Sequence, residues 1–148
     1  MSEDKREAIL ARLVEVAKTL TEPDCVFRNQ TEIPESKRPA IVILDADETA
    51  DEAAYGRGRP ANAPNVILLQ PEIFILLEAA PGKIGTELNA FRNRVLKAVL
   101  HDASLLALCK DGDIRYDGFA TGLAVGRSME GEGGIGLTFR YVLRPDKL

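Results

Sequence analysis

The sequence has few of the residue types that mark several common classes of protein. Its 148 residues include two cysteines, one histidine and no tryptophan, and aromatic residues make up only 5%. Cys25 and Cys109 are far apart and belong to no CxxC or CxxH motif of a zinc site, so we expect two buried, reduced thiols. The scarcity of aromatic residues leaves no evident stacking platform for single-stranded nucleic acid.

Long apolar runs are also missing. Two neighbouring runs, Val66–Leu69 and Ile73–Leu77, are separated by Gln70-Pro71-Glu72, and both are far shorter than the ~20 residues of a membrane-spanning helix. The first residues are crowded with charge and lack the apolar segment of a secretory signal. We therefore expect a soluble, intracellular protein without a membrane partner.

The overall composition is that of a globular protein with a small acidic excess. Acidic residues number 23 and basic residues 19, which gives a formal net charge of −4. This balance disfavours a broadly basic, sequence-specific nucleic-acid binder. The length and the 45% content of hydrophobic residues are typical of one compact domain, and we predict a single domain over 1–148.

Periodic hydrophobic residues predict an α+β fold. Amphipathic helices are expected over 3–20, capped by Ser2 or Asp4, and over about 84–101, ending at His101. Strands are expected at 25–29, 40–44, 66–78, 114–125 and 137–144, with Pro71 at an edge or a bulge. A short helical turn is expected at 105–108 and a flexible turn at Gly131–Gly134. The two helices would cover one face of a mixed, mainly antiparallel sheet.

The segment 45–64 has no periodicity, and we predict a long, flexible loop there. It contains six charged residues that are candidates for contact with a partner: Asp47, Glu48, Asp51, Glu52, Arg57 and Arg59. A solvated loop with no partner is the alternative for such a charged segment.

The sequence has partial matches to catalytic and cofactor-binding motifs, but each match lacks the neighbouring residues or elements that the motif requires. The run Gly131–Gly136 matches G-x-G-x-x-G, but a strand pattern follows it instead of the helix that a dinucleotide site needs. The run Asp111–Gly118 lacks the glycine and glutamate of a calcium loop. His101 has no recognisable nucleophile and orienting acid beside it. We therefore predict no enzyme activity, no catalytic residues, no metal site and no cofactor.

The order of these elements resembles the tail terminator proteins of long-tailed bacteriophages, including the minor tail protein U type and related tail-completion proteins. The likeness covers about 3–144. Its parts are the helix Arg6-Glu7-Ala8-Ile9-Leu10-Ala11-Arg12-Leu13, the strand with Val26-Phe27-Arg28, the run Arg38-Pro39-Ala40-Ile41-Val42-Ile43 before a charged loop, a strand leading to the second helix, and a Gly-rich final hairpin with Tyr141.

This resemblance implies a structural protein of a phage or prophage tail. It implies a homo-oligomeric ring, usually a hexamer, at the head-proximal end of the tail tube, assembled in the host cytoplasm. The ring would end tube polymerisation and join the tail to the head, with the tail tube protein and the head–tail connector as partners. In that setting we expect the acidic half of the 45–64 loop, and its half with Arg57 and Arg59, to meet opposite charges on neighbouring molecules.

Three other functions stay open on the sequence. The first is a small-ligand-binding or enzymatic α+β domain, which would need a pocket with convergent polar groups. The second is a different neck component, or an assembly subunit from outside phages with the same layout. The third is nucleic-acid binding, which the net negative charge disfavours.

Overall fold

A computed structural model of the protein describes residues 4–52, 60–80, 82–121 and 131–148. In chain order, the helices and strands of these residues are α1 (Lys5–Ala17), β1 (Val26–Arg28), β2 (Ala40–Ala50), β3 (Asn65–Leu77), α2 (Ile84–Leu100), α3 (Ala103–Leu108), β4 (Ile114–Thr121) and β5 (Gly131–Leu143). The five strands form one sheet in the order β1-β2-β3-β5-β4. Only β1 and β2 are parallel, so the predicted α+β fold with a mixed, mainly antiparallel sheet is confirmed.

α1 begins after the predicted cap Asp4 but ends at Ala17, three residues before the predicted end at 20, whereas α2 matches the predicted 84–101 to within one residue. The Asp4 carboxylate accepts a hydrogen bond of 3.0 Å from the backbone N–H of Glu7 and caps α1. His101 is the C-cap of α2. The helical turn predicted at 105–108 is part of a short third helix that begins at Ala103. The Asp102 carboxylate caps this helix by accepting a hydrogen bond from the backbone N–H of Leu105.

The core lies between the helices and one face of the sheet, which we call the helix face. It combines the apolar stripes of α1 and α2 with alternate residues of the three central strands, including Ile41, Ile75 and Phe139. Within the described part of the chain, no helix is long and apolar enough to cross a membrane.

The predicted loop over 45–64 is wrong for its first residues, because β2 continues to Ala50. The strand passes its charged stretch through a bulge, where the pairing with β3 shifts between Leu44 and Asp47. Ala46 adopts a positive φ of 52° at this point. The bulge lies opposite Pro71, which has no N–H to donate, so the predicted bulge at Pro71 is confirmed.

The predicted turn at Gly131–Gly134 is also wrong, because these residues open β5. Glycine is needed there for close packing and not for a turn. A Cβ on Gly133 would overlap the ring of Phe119, and a Cβ on Gly134 would lie 3.1 Å from the ring of Phe74. The predicted extension of β4 to residue 125 lies partly outside the described residues.

The opposite face of the sheet, which we call the open face, carries no helix of the described residues. A smaller apolar cluster lies on it, formed by buried Ala40, Val42 and Leu76 with partly buried Phe27, Ile33, Leu44 and Phe74. The segment 30–34 crosses one side of this cluster. The fold therefore leaves a partly apolar surface on the face away from the helices.

Candidate interaction surface

The four described acidic candidates do not form one patch. Because side chains alternate along a strand, Glu48 points to the helix face, whereas Asp47 lies exposed on the open face. Asp51 and Glu52 follow the end of β2. Arg57 and Arg59 lie outside the described residues.

Glu48 belongs to a network that ties β2 to the core. Its carboxylate accepts hydrogen bonds of 3.0 and 3.1 Å from the Tyr141 hydroxyl and of 2.8 Å from Arg6. Arg6 also donates to the carbonyl of Ala46 at 3.0 Å. Burial, together with the Glu48 charge, raises the pKa of Tyr141 above its ordinary value. Glu48 therefore holds the strand in place and is not available to a partner.

The Asp51 carboxylate is also paired within its own chain, on the open face. Its carboxylate lies 3.2 Å from Nε of Arg140, and both side chains are about one-fifth exposed. The backbone N–H of Asp51 donates to the carbonyl of Val66 at 2.8 Å. In contrast, the side chains of Asp47 and Glu52 are exposed and make no hydrogen bond or ion pair within the described part of the chain.

Arg28 joins β1, β2 and α1 at the edge of the sheet. Its guanidinium donates to both carboxylate oxygens of Asp45 and to both of Glu7, at 2.8–3.0 Å. These hydrogen bonds to Arg28 hold the pKa values of Glu7 and Asp45 below their ordinary values. The first acid of the predicted loop therefore has a structural role.

The outer edge of β2 is paired only along its first half. β1 pairs with Ile41–Ile43, and the side chain of Asn29 accepts from the N–H of Asp45 at 2.9 Å. From Asp47 to Ala50 no described strand pairs on that side. An unpaired strand edge is a template for another chain, although charged residues on it restrain unselective pairing.

A groove of about 710 Å³ lies on the open face. Its apolar walls come from Val42, Leu44, Phe74 and Leu76, and the segment 30–34 forms one side. Its charged lining residues are Arg38 and two acids, Glu32 and Glu132. We call this surface the Arg38 groove.

Arg38 has no ion-pair partner among the residues that the structure describes. Its Nε atom is buried and makes no hydrogen bond, and no carboxylate within the described residues pairs with its guanidinium. A buried donor that stays unpaired costs free energy. Because this Nε is fully buried, a group that enters the groove from outside does not reach it.

A second, smaller depression of about 320 Å³ lies on the same face near Gly136. It is lined by three acidic residues, Asp47, Glu72 and Asp117. The hydroxyl of Thr138 donates to the Asp117 carboxylate in a short hydrogen bond. Within the described residues, no group of three or more His, Cys, Asp or Glu side chains is placed to hold a metal ion.

Sequence reasoning identified the acidic residues but missed the groove. The run Ala40–Leu44 is apolar at every position. In the structure residues 40–43 are buried, and Leu44 is partly buried. Because residues 40–44 and 73–77 are apolar throughout, the sequence pattern does not distinguish the groove-lining residues from their neighbours, and the lack of a described partner for Arg38 depends on tertiary packing.

Comparison with models of known protein families and with curated protein sequences gave no match to this chain.

Proposed function

We propose that this protein is a structural subunit of a phage or prophage tail. In this proposal it forms a ring, most simply a hexamer, at the head-proximal end of the tail tube. The ring stops polymerisation of the tube protein and provides the surface to which the head connector binds. No catalytic step is assigned to the chain.

The observation that carries this proposal is the one-sided covering of the sheet. Three helices pack on the helix face, whereas the open face has an apolar groove with half-buried Leu44 and Phe74. Exposed apolar surface of this kind marks interaction sites in soluble proteins. The unpaired outer edge of β2 at Asp47–Ala50 is a second surface that another subunit can cover.

Cyclic symmetry is a direct way to use two different surfaces of one chain. In a head-to-tail ring, one surface of each subunit meets the other surface of its neighbour, and closure leaves neither of them exposed. The groove is one such surface. The resemblance of the order of elements to that of tail terminator proteins supports the proposal that this ring lies at the end of a tail tube.

The test is tube assembly by the cognate tail tube protein with and without this chain, followed by electron microscopy. The proposal predicts tubes of limited length, each with a ring of this chain at one end. Tubes that grow to the same length in its presence, with no density added at either end, would contradict the proposal.

A small-ligand-binding domain is the second candidate function. The Arg38 groove favours it, because its volume of about 710 Å³ lies within the usual range of about 300–1,000 Å³ for ligand pockets. A thermal-shift screen of small carboxylic acids tests it. Stabilisation by one of them that is lost in Arg38→Gln would support this function.

A further inference from the structure

We infer that the acidic open face of one copy of this chain binds the basic outer side of α2 of the next copy. This inference rests on the proposed function, since it names two surfaces that meet in the ring. It gives the open face an occupant of stated chemistry, a second copy of the chain.

Five exposed acidic side chains lie on the open face. Two of them line the groove, and three surround the smaller depression near Gly136. They are Glu32 and Glu132 at the groove, and Asp47, Glu72 and Asp117 at the depression. None of the five makes an ion pair within the described part of the chain. The hydrogen bond that Asp117 accepts from Thr138 is to a neutral hydroxyl and leaves the carboxylate charge in place.

The basic residues among the strands of this face do not neutralise these acids. Arg115 and Arg140 are each paired with another acid of their own chain, Arg115 with Asp113 at 3.1 Å and Arg140 with Asp51 at 3.2 Å. Arg38 lies at the groove and opposes the two acids there only in part. The open face is therefore acidic, and it is complementary to a basic partner and not to an acidic one.

The outer side of α2 has the complementary charge. It carries three bases, Arg92, Arg94 and Lys97. Residues 88–101 contain no acid, and none of the three bases makes an ion pair within the described residues. Glu78 and Glu87 lie near Arg94, where all three line a depression. The basic excess is therefore largest in the C-terminal half of the helix, toward Lys97.

The contacts of these bases leave their charges available. The guanidinium groups of Arg92 and Arg94 lie over the rings of Phe119 and Phe91, with 5.7 and 4.6 Å to the ring centres. A contact of this kind orients a cation without neutralising it. Lys97 is exposed, and its flexible stem can direct the ammonium group to a neighbouring carboxylate.

The two surfaces lie on opposite sides of the molecule. α2 packs its buried stripe, with Leu88, Phe91 and Val95, on the helix face of the sheet, so its outer side points away from the sheet. An α-helix with its side chains is about 10–12 Å across, which is more than the reach of an ion pair. Contact between these two surfaces therefore joins different copies. It is head-to-tail, and such contacts close into rings when the rotation between subunits allows it.

The long side chains of α2 also suit the apolar part of the open face. Leu44 and Phe74 are only partly buried there. The methylene groups of arginine and lysine cover apolar surface while their charged ends remain free to reach carboxylates. Because ion pairs at such a contact are screened by salt, the assembly should weaken as the ionic strength rises.

The test is a charge exchange between two full-length variants, Glu72→Lys/Glu132→Lys and Arg94→Glu/Lys97→Glu. Light scattering on a sizing column gives the mass of each variant and of their equimolar mixture over a concentration series, alone and with tail tube protein. Each variant alone should need at least about tenfold more protein for half-assembly, because like charges then meet at every contact. The mixture should recover assembly, because alternating copies pair opposite charges.

Milder variants keep the test decisive if a reversed variant does not fold. Glu72→Gln/Glu132→Gln and Arg94→Gln/Lys97→Gln remove the charges without reversing them. Each should weaken assembly in the same direction but less, and each should make it less sensitive to salt than the wild-type assembly. Assembly of both neutral variants with the wild-type midpoint and salt dependence would overturn the inference.

Control variants separate this effect from a general change of charge. Glu22→Lys/Asp146→Lys and Lys110→Glu/Lys147→Glu change the net charge to the same extent at positions outside both surfaces. Both controls should assemble as wild type does.

The outcomes distinguish the inference from the proposed function. A ring that either reversed variant forms with the wild-type midpoint overturns the inference and leaves the proposed function standing. The same holds if both reversed variants fail to assemble and the mixture does not recover, or if Glu72→Lys/Glu132→Lys loses only its binding to tail tube protein. A wild-type chain that stays at 16.1 kDa, alone and with tail tube protein, overturns both.

Discussion

At the scale of single residues, the acidic residues of β2 differ in role according to the face they occupy. Glu48 is held by Tyr141 and Arg6, whereas its neighbour Asp47 has no partner within the described residues. The sequence identified both as charged residues of one loop. It could not separate them, because the bulge at Ala46 decides which of them points to the helix face.

Tyr141→Phe should lower the free energy of unfolding by about 1.5–3 kcal/mol. It removes a buried hydroxyl that donates to the Glu48 carboxylate, and hydrogen bonds to charged groups contribute about that much. Urea denaturation measures the change. Tyr116→Phe, at a tyrosine that is 41% exposed on β4, is the matched control and should have no effect. Equal stability of the two variants would show that the network contributes nothing.

The lowered pKa values of the carboxylates that pair with Arg28 predict how the stability of the protein changes as the pH falls. The pKa values of Glu7 and Asp45 are lowered by hydrogen bonds to Arg28, below ordinary values of 4.5 and 3.8. Stability from these pairs is therefore present above the ordinary pKa values and is lost as the pH falls through the lowered ones. Arg28→Gln should be less stable at pH 7 and should lose less stability on acidification than wild type.

Denaturant midpoints measured at intervals from pH 7 to pH 2.5 test this prediction. Lys147→Glu is again a useful comparison, because Lys147 makes no ion pair within the described residues. An Arg28→Gln curve parallel to that of wild type through the acid range would contradict the role given to these pairs.

At the scale of elements, β2 is longer than its sequence pattern indicates because a bulge carries it past Pro71. Hydrophobic spacing predicted both long helices, and alternation predicted the faces of β5, where Leu137, Phe139 and Tyr141 lie on the helix face. The local sequence pattern predicted a loop at a place where tertiary contacts stabilise a strand. The charged half of β2 is a strand because β3 pairs with it and Arg6 neutralises Glu48.

Ala46→Gly should stabilise the protein by up to about 1 kcal/mol. Ala46 has a φ of 52°, a conformation that costs an L-residue about 1–2 kcal/mol and glycine little, while glycine loses more backbone entropy on folding. Ala50→Gly, in the same strand at the end of its pairing with β3, is the control and should destabilise by about 0.5–1 kcal/mol. Thermal unfolding of the two variants should shift in opposite directions, and a destabilised Ala46→Gly would contradict the assigned bulge.

The glycines of β5 give a second prediction at this scale. Gly133→Ala should destabilise by about 1–3 kcal/mol, because the added methyl group would overlap the ring of Phe119 and the core must shift. Gly82→Ala is the control, since a Cβ there would meet nothing within 4 Å. Denaturant midpoints of both variants test whether Gly131–Gly134 is close-packed strand, and a neutral Gly133→Ala would contradict that packing.

At the scale of the whole molecule, the sheet is covered on one face and left partly apolar on the other. The α+β layout followed from the spacing of apolar residues, whereas the groove and the unpaired Arg38 depend on which strands become neighbours. The sequence contains no motif for that arrangement. The central claim is that other copies of the chain cover these surfaces in a ring.

The most direct test of that claim is the mass of the chain in solution, by light scattering over a concentration series with and without tail tube protein. We expect one discrete assembly of about six times the 16.1 kDa chain mass, alone or at the end of the tube. A single mass of 16.1 kDa at every concentration, with no chain bound to tubes, would contradict the account.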